Sequence, residues 1–472
     1  MNDSYKKRLY TQALSLSAAV LMAVLAQGKA AADQQNSTES QPAANQVETV
    51  TPATEAAQAA PNQTGEKEQN PAPAADNPAV SAAAQTRAAA SEEAKTQLSD
   101  GTVYMSESAE LKDTVQGQGS QAGKLTWTLD NKPIADWKTW NMDSGTFTGQ
   151  PFVTIEEKAD GNDLHLNLQF KELFGQDLSL RSPNNIRRTY RNFIGSHELV
   201  GRSQDLGLTI RKNIILRPYE DFHSHEEMLA SIEKSRQDAK TDRLVQIENI
   251  GKSAQGRDIK LGIISSDQKS IDDYLSTTNP QALTKPAEML AALKNGNLDY
   301  KLPVLINNTH ADEQPGIDII TGLFKTFATK DQVSFKTSAA DGSEKMVTLK
   351  IQDLLKKFIF LFDFTENPDG DVLNTRALAN GLDPNRDTGY QANPETRTVA
   401  GLINKWNPIA LYDIHGFVKE FLIEPATPPH DPNFEYDLLA DLMLDNAHHM
   451  GRAGVANSGY DKYIIPKLDW GD

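Results

Sequence analysis

The residues best suited to chemistry in this sequence are two histidines and a glutamate. His310 and Glu313 lie three positions apart, and His415 lies far beyond them in the segment 413–416 (DIHG). Imidazole nitrogens and carboxylate oxygens bind zinc at about 2.0 to 2.2 Å, and a catalytic zinc site has three protein ligands and one open position. The three side chains are therefore candidates for one zinc ion. A surface pair is the ordinary explanation of a His and a Glu at this spacing, so their position in the fold has to decide.

Predicted buried strands lie immediately before these residues. Leu302–Asn307 (LPVLIN), Phe358–Asp363 (FIFLFD) and Ile409–Ile414 (IALYDI) are apolar runs typical of strands covered on both faces. Helical segments alternate with them, and this alternation predicts an α/β domain with a mixed, mainly parallel sheet flanked by helices. Ligands of such sheets bind beyond the carboxyl ends of the strands. Because His310 and His415 follow two of these ends, the sequence predicts that they meet there.

A third strand end is followed by two arginines. The segment 367–370 (NPDG) predicts an abrupt turn, and Arg376, Asn385 and Arg386 come after it in an irregular stretch. Arginine keeps its charge at any working pH and presents a planar fork that grips a carboxylate in two places. Arg376 and Arg386 are thus candidates for binding an anionic group. The alternative is that both form surface ion pairs.

Four segments together resemble the zinc metallocarboxypeptidase family, and its bacterial and cytosolic-type branches more than the digestive enzymes. In chain order they are 250–257 (IGKSAQGR), the pair His310 and Glu313, the stretch from NPDG at 367–370 to Asn385-Arg386, and DIHG at 413–416. The resemblance extends from about Tyr219 to the end of the sequence. It implies a zinc-carboxypeptidase-like domain over residues 219–472.

The resemblance also implies a role for each candidate residue. His310, Glu313 and His415 would bind one zinc ion, and Arg376 would polarise the scissile carbonyl and stabilise its oxyanion. Asn385 and Arg386 would hold the terminal carboxylate of the substrate. The implied protein is a zinc metallocarboxypeptidase that hydrolyses a C-terminal amide bond of a peptide or of the peptide stem of peptidoglycan. The alternative is a noncatalytic surface or cell-wall-binding protein that keeps the same scaffold.

The sequence departs from the family in two places. Asp312 stands where digestive members carry an arginine beside the ligand glutamate. The general-base glutamate of the family lies well after the second zinc histidine, but only 57 residues follow His415, and Glu420 and Glu424 are too close to it to match. We therefore expect a longer protein whose final strands and general base lie beyond residue 472. Loss of a general base weakens proton transfer by about 10²-fold to 10⁴-fold.

The beginning of the sequence predicts export and then a long unfolded stretch. Basic residues at 6–8 precede an apolar run at 13–26, and small residues follow at 30–32, so residues 1–32 have the pattern of a bacterial signal peptide. The apolar run is shorter than the roughly 20 residues that span a bilayer, so we expect no transmembrane segment in the mature chain. Residues 33–100 contain no aromatic residue and predict a disordered linker. The expected location is secreted or attached to the cell surface.

A β-rich accessory domain is predicted between the linker and the domain with the candidate site. Within residues 101–218, Lys124–Leu129, Asp163–Phe170 and Leu206–Leu216 alternate apolar and polar residues, which is typical of half-buried strands. A helix is predicted to begin at Ser224 or His225 and marks the change to α/β structure.

Composition excludes several other kinds of site and partner. The sequence has no cysteine, so disulfides and thiolate metal ligands are absent. A net charge of −17 and a pI near 5.0 argue against nucleic acid as a partner, because its phosphates would be repelled. The pairs His223/His225 and His448/His449 suggest metal ligands, but a solvated helix start and a helix surface are the favoured interpretations.

Overall fold

The computed structural model describes residues 94–174, 189–203, 207–220, 222–295, 301–339, 341–416, 421–424 and 436–466. The predicted signal peptide at 1–32, almost all of the predicted linker at 33–100 and Glu420 lie outside these residues. Within the described ranges, no helix is both long enough and apolar enough to cross a lipid bilayer.

The first part of the described chain consists mainly of strands. They are β1 (Ala94–Gln97), β2 (Gly101–Tyr104), β3 (Ala109–Val115), β4 (Thr126–Leu129), β5 (Lys132–Pro133), β6 (Val153–Asp160), β7 (Asp163–Phe170), β8 (Gly195–Ser203) and β9 (Leu208–Arg217). One sheet has the order β1-β9-β8-β4-β5, with β2 also paired to β9, and a second sheet has the order β3-β7-β6. The strands predicted in this region correspond to β4, β7 and β9.

The residue pattern of β7 explains how this part is held together. Its buried side chains occupy alternate positions, Leu164, Leu166, Leu168 and Phe170. They belong to one apolar core with Trp127, Phe152 and Ile210 from other strands and loops of this region. Burying an aliphatic or aromatic side chain of this size contributes about 1.5 to 3 kcal/mol, so this core stabilises the region.

The first strand lies inside the stretch that the sequence predicts to be a linker. β1 pairs in parallel with β9, from Ala94 opposite Leu208 to Gln97 opposite Arg211. Main-chain hydrogen bonds make this pairing, so it needs none of the apolar alternation by which strands are predicted. Ordered structure therefore begins before residue 101, where the β-rich domain was predicted to start.

The second part of the described chain alternates helices and strands. Its elements are α1 (His225–Gln237), β10 (Leu244–Lys252), β11 (Asp258–Ser265), α2 (Gln268–Asp273), α3 (Asn279–Thr284), α4 (Pro286–Lys294), β12 (Leu302–Asn307), α5 (Gln314–Thr329), β13 (Gln332–Ser338), β14 (Glu344–Lys350), α6 (Ile351–Leu355), β15 (Phe358–Asp363), α7 (Pro368–Leu373), α8 (Pro394–Trp406), β16 (Ala410–Asp413) and α9 (Tyr436–Asn457). The main sheet has the order β10-β11-β15-β12-β16, and β13 and β14 form a separate hairpin.

The main sheet is mixed, as the sequence predicts. β15, β12 and β16 pair in parallel, whereas β10, β11 and β15 pair in antiparallel fashion. The parallel strands are the three predicted from apolar runs, and β12 and β15 have the predicted bounds. Their carboxyl ends lie at the same edge of the sheet, so the segments after Asn307, Asp363 and Asp413 meet there.

Helices cover both faces of β15, which explains its continuous apolar sequence. On one face, Phe360 and Phe362 pack against Phe324 and Phe327 of α5. On the other face, Ile359 and Leu361 belong to a cluster that includes Trp406 of α8. All six side chains of the strand are buried. A strand held on both faces fixes the position of the segment that follows it.

Candidate metal centre

A tight turn after β12 brings His310 and Glu313 to the same side of the chain. The N–H of Glu313 donates to the carbonyl of His310 at 3.0 Å, and α5 begins at the next residue. Asn308 fastens the turn to the third strand end, because its Nδ2 donates to the carbonyl of Ile414 at 2.9 Å. His310 and Glu313 are almost completely buried as a result.

Gly316 allows the start of α5 to approach this turn closely. A Cβ atom at position 316 would lie 2.3 Å from Asn308 Nδ2 and 2.5 Å from the carbonyl oxygen of Ile414. Both distances are shorter than real contacts of a Cβ atom, and the second partner is main chain that cannot rotate away. The helix, the turn and the end of β16 therefore need glycine at this position.

The structure brings together the three residues predicted as zinc ligands. The Nδ1 atoms of His310 and His415 lie 3.0 Å apart. Glu313 Oε1 lies 3.4 Å from His310 Nδ1, and Glu313 Oε2 lies 3.0 Å from His415 Nδ1. One candidate ligand atom from each residue lies within 4.8 Å of the others, and no second group of this kind occurs in the described ranges.

The outer nitrogen of each histidine faces a carboxylate. His310 Nε2 lies 3.0 Å from Asp383 Oδ1, and His415 Nε2 lies 2.9 Å from Asp413 Oδ2. A carboxylate accepts, so both Nε2 atoms are assigned as donors from this network. In neutral rings the two Nδ1 lone pairs would then point at each other across 3.0 Å, and a shared cation removes that repulsion. Carboxylates in this position orient histidine ligands and raise their basicity. The donor set therefore fits a zinc ion.

Asp413 is itself held by the neighbouring strand. Its Oδ1 accepts from the N–H of Thr309 at 3.1 Å and from Asn307 Nδ2 at 3.3 Å, and its Oδ2 accepts from the Thr309 hydroxyl at 2.7 Å. These bonds connect β16 to the segment after β12. The orientation of the His415 ring is therefore fixed by the same strand ends that position His310.

Arg376 lies beside the three candidate ligands. Its Nη1 donates to Glu313 Oε1 at 3.0 Å and lies 3.0 Å from His310 Nδ1, and its Nε donates to Asp383 Oδ2 at 2.8 Å. Arg376 thus forms ion pairs, and both of them are with residues at the candidate centre. Since the lone pair of His310 Nδ1 serves one partner at a time, a bound metal ion would take the place of Arg376 at this nitrogen.

A buried asparagine fixes the main chain that carries Arg376. Asn367 Nδ2 donates to the carbonyls of Arg376 and Ala377 at 3.4 and 3.2 Å, and its Oδ1 accepts from the N–H of Gly370 at 2.9 Å. The NPDG turn predicted from the sequence therefore holds the arginine segment as well as ending β15.

Asn385 and Arg386 lie near the metal centre but do not bond to it. Both are exposed residues of the short 3-10 helix Pro384–Arg386. The N–H of Asn385 donates to Asp383 Oδ1 at 3.0 Å, so the turn begins at a carboxylate that also contacts His310. In the part of the chain that the structure describes, no hydrogen bond joins their side chains to the three candidate ligands.

The charges at the centre favour a bound cation. Burial raises the pKa of Glu313, but hydrogen bonds with His310 and His415 outweigh this effect and hold the pKa well below its usual range. Burial lowers the pKa of His415, but hydrogen bonds with Asp413 and Glu313 outweigh it and raise the pKa to about 10. Without a metal ion, the His415 ring thus carries an extra proton, and zinc would displace it.

Two buried acids interact with Asp413. Burial and the nearby carboxylate of Asp413 raise the pKa of Asp363 to about 8. Burial, Asp363 and Asp413 raise the pKa of Glu366 to about 8 as well. Both groups are therefore largely protonated at neutral pH, which limits the negative charge around Asp413. Neither residue was predicted from the sequence to belong to the site.

The other histidine pairs have partners outside the metal centre. His225 is 7% exposed, and its Nδ1 lies 2.9 Å from Asp371 Oδ2 in α7, so the predicted solvated helix start is wrong for this residue. His223 pairs with Asp318 of α5. His448 Nδ1 lies 2.8 Å from the hydroxyl of Tyr463. The partners of His225 and His223 are carboxylates far away in the sequence, and the spacing of the histidines carries no information about such partners.

Comparison with known proteins agrees with this geometry. Residues 228–449 match the family model described as zinc carboxypeptidase, and this range includes every candidate site residue. No curated protein compared with the sequence is significantly similar to it.

Solved structures of carboxypeptidases are also similar to the chain. A provisional carboxypeptidase A from Shewanella denitrificans OS-217 is 14% identical, with a TM-score of 0.31 over 80% of this chain and 78% of that one. A metallo-carboxypeptidase from Burkholderia cenocepacia is 13% identical, with a TM-score of 0.32 over 69% and 64%. One from Pseudomonas aeruginosa is 15% identical, with a TM-score of 0.25 over 72% and 71%. Because these TM-scores are low, the solved structures carry no argument about this chain. The family match and the geometry of the site carry the comparison.

Proposed function

Because residues 228–449 match the family model of zinc carboxypeptidases, we propose that the protein is a zinc-dependent metallocarboxypeptidase that hydrolyses the C-terminal amide bond of a peptide. One observation carries this proposal. Two imidazole Nδ1 atoms and the Glu313 carboxylate converge, while the Nε2 atom of each imidazole is bonded to a carboxylate. The two Nδ1 atoms and the Glu313 carboxylate can therefore bind one metal ion, while both Nε2 atoms are already bonded elsewhere.

His310, Glu313 and His415 would hold one zinc ion. Zinc in a site with two histidines and one glutamate supplies a water molecule of lowered pKa and polarises a carbonyl group. Asp383 and Asp413 would keep both imidazoles in the tautomer that leaves Nδ1 free to bind. We assign no general base among the described residues.

Arg376 would stabilise the negative charge that develops on the carbonyl oxygen during hydrolysis. Its guanidinium already lies within hydrogen-bond distance of two of the candidate ligands. A donor fixed in place before the reaction lowers the barrier because no reorganisation is needed when the charge appears. Its bond to Asp383 would keep the guanidinium in this position.

Asn385 and Arg386 would bind the terminal carboxylate of the substrate. An arginine fork and an amide together offer several donors to a planar carboxylate. Their exposure on a turn next to Asp383 supports this role, since a substrate has to reach them from solvent. The substrate would be a peptide C-terminus or the peptide stem of peptidoglycan, handled outside the cell by a secreted or surface-attached bacterial protein.

A hydrolysis assay tests the proposal. The zinc-loaded chain is given a peptide with a free C-terminal carboxylate, before and after removal of the metal by a chelator and again after zinc is restored. We expect release of the last amino acid to stop with the chelator and to return with zinc. The His415→Ala variant should stay inactive throughout, and His449→Ala, a histidine outside the centre, should behave as wild type. Zinc binding without any hydrolysis would favour the noncatalytic binding protein.

A further inference from the structure

A buried carboxylate lies directly after the turn that carries Asn385 and Arg386. Asp387 is 3% exposed. Its Oδ1 accepts from the N–H of Ala392 at 2.9 Å, and its Oδ2 accepts from the N–H and the Nδ2 of Asn393 at 3.0 and 2.8 Å. The hydroxyl of Thr396 donates to the same Oδ2. Burial raises the pKa of Asp387, but the hydrogen bonds from Thr396, Ala392 and Asn393 outweigh it and hold the pKa at about 2.

The donors to Asp387 belong to the start of α8. Asn393 precedes the first residue of that helix and Thr396 lies in its first turn, so the carboxylate faces the positive end of the helix dipole. The helix is a firm support, because Val399, Leu402 and Trp406 are buried along it. Asp387 therefore connects a surface turn to an element packed against the sheet.

The other end of the same turn is tied to the metal centre. Asp383 Oδ1 accepts from the N–H of Asn385, and the carbonyl of Asp383 accepts from the N–H of Arg386 at 3.0 Å. The Asp383 carboxylate also contacts His310 and Arg376. The turn Pro384–Arg386 thus lies between two carboxylates, Asp383 on the side of the metal centre and Asp387 on the side of α8.

Exposure makes these two attachments important for the turn. The side chains of Asn385 and Arg386 are exposed, so packing does not fix their position. The Nη1 of Arg386 donates to the carbonyl of Asn385 at 2.9 Å, a bond within the turn itself. The position of both side chains relative to the metal centre therefore depends on the main chain held at Asp383 and at Asp387.

We propose that Asp387 is a positioning residue for recognition of the substrate's terminal carboxylate. It does not touch the substrate, and it acts by holding the turn of Asn385 and Arg386 at a fixed distance from the zinc ligands. The proposal rests on the proposed function, in which these two residues bind that carboxylate. A carboxylate that only capped α8 would affect stability alone, without a preference between ligands.

Binding to two matched peptides separates these roles. Both peptides have a methylene in place of the carbonyl of the last amide bond, so neither is hydrolysed, and one ends in a free carboxylate and the other in a carboxamide. Calorimetry with the zinc-loaded full chain gives both Kd values. Asp387→Asn keeps the size of the side chain but removes its charge. We expect the Kd of the carboxylate peptide to rise about tenfold or more, the loss typical of a charge-assisted hydrogen bond, and the Kd of the amide peptide to stay within about threefold.

Two further variants keep the test decisive. Thr396→Val removes one of the four donors to Asp387 and is expected to give a smaller loss, about twofold to fivefold, for the carboxylate peptide only. Asp267→Asn changes a carboxylate that likewise accepts from the start of a helix, α2, and should change neither Kd. Melting curves and zinc content are measured for each variant, and if Asp387→Asn does not fold, Thr396→Val gives the answer.

The outcomes distinguish this proposal from the proposed function. Equal weakening of both peptides, or no weakening, would overturn the role of Asp387 while leaving the function of the zinc site intact. If the wild-type chain itself has no preference for the carboxylate peptide, then the carboxylate-binding role of Asn385 and Arg386 is wrong, and the positioning role of Asp387 is wrong with it.

Discussion

His197 in the β-rich part and His310 in the α/β part are both buried, but their ring nitrogens have different partners. His197 Nδ1 lies 2.6 Å from Asp130 Oδ2, and its Nε2 lies 2.7 Å from the carbonyl oxygen of Phe193. Both nitrogens thus face oxygen acceptors of the protein. His310 has Asp383 at one nitrogen and the Nδ1 of His415 at the other. A ligand at either nitrogen of His197 would take the partner of an oxygen acceptor, whereas a ligand between the two Nδ1 atoms at His310 would not.

The difference follows from how the strands run in the two parts. β4, β8 and β9 are antiparallel neighbours, so successive strand ends lie at opposite edges and their polar residues are scattered. β15, β12 and β16 are parallel, so three segments distant in sequence meet at one edge. The same residue types therefore serve stability in the β-rich part and form the candidate metal centre in the α/β part.

Replacing His310 or His197 by alanine, each in a separate variant, is expected to give the largest difference between the two regions. His310→Ala should lose nearly all bound zinc, because a two-ligand remainder does not complete the set that zinc requires. His197→Ala should keep its zinc and lose about 1 to 3 kcal/mol of unfolding free energy, since Asp130 and Phe193 lose a buried partner. Metal analysis and denaturant unfolding measure the two quantities. Full zinc content in His310→Ala would contradict the difference between the regions.

Removing Arg376 is expected to reduce turnover strongly while leaving zinc in place. Arg376→Ala should lower kcat by about 10²-fold to 10³-fold, the usual effect of losing one donor to a developing oxyanion. Arg211→Ala is the matched control in the β-rich part, because Arg211 forms a partly exposed pair with Glu198, and such pairs contribute about 0 to 1 kcal/mol. Steady-state kinetics with a peptide substrate provide the comparison. Unchanged kcat in Arg376→Ala would show that the guanidinium does not take part.

Neutralising the carboxylate behind a histidine sharpens the comparison further. Asp413→Asn should weaken zinc binding by about 10-fold to 100-fold, because His415 loses the partner that orients its ring. Asp130→Asn makes the same change behind His197 and should leave the zinc affinity at the wild-type value. Competition with a chromophoric chelator measures both affinities. A similar loss in the two variants would point to a general effect on folding.

Zinc affinity should depend on pH through His415. Its pKa without metal is about 10, because hydrogen bonds with Asp413 and Glu313 outweigh the effect of burial, and zinc has to displace that proton. Between pH 7 and pH 9 the apparent affinity is therefore expected to rise by about tenfold for each pH unit. Chelator competition at several pH values measures the slope. An affinity independent of pH in this range would contradict a protonated His415 in the metal-free protein.

The same proton on His415 should make the stability of the metal-free protein fall as pH rises, whereas the zinc affinity rises. A histidine whose pKa is raised from 6.5 to about 10 by folding contributes stability below pH 6.5 and loses that contribution as pH rises to 10. The melting temperature of metal-free wild type should therefore fall more between pH 7 and pH 10 than that of His415→Gln. If the melting temperatures of the two proteins fall equally with pH, His415 is not protonated in the folded protein.

The fold around the centre was predictable where burial on two faces leaves a plain sequence pattern. β12 and β15 are uninterrupted apolar runs, and their bounds agree with the prediction. β1 left no such pattern, because its four residues pair with β9 through main-chain bonds alone. Main-chain pairing does not depend on side-chain type, so a polar strand at the edge of a sheet cannot be recognised from its sequence.

The convergence of His310, Glu313 and His415 was predictable because each lies shortly after a strand end at a common edge of the sheet. Asp383 and Asp413 were not singled out, although both lie in segments that were. A carboxylate is so common in sequence that only the direction of its side chain reveals a role, and that direction depends on Thr309, Asn307 and Arg376 from other segments. The spacing Asp413-Ile414-His415 at a strand end is a weak signal that could have identified Asp413.

X-ray absorption at the zinc edge of the zinc-loaded protein tests the metal centre most directly. We expect two imidazole nitrogens and carboxylate oxygen at about 2.0 to 2.2 Å in wild type, and one imidazole fewer in any zinc that His415→Ala retains. A spectrum without two imidazoles in wild type, or an unchanged spectrum in His415→Ala, would show that zinc does not bind where His310, Glu313 and His415 meet.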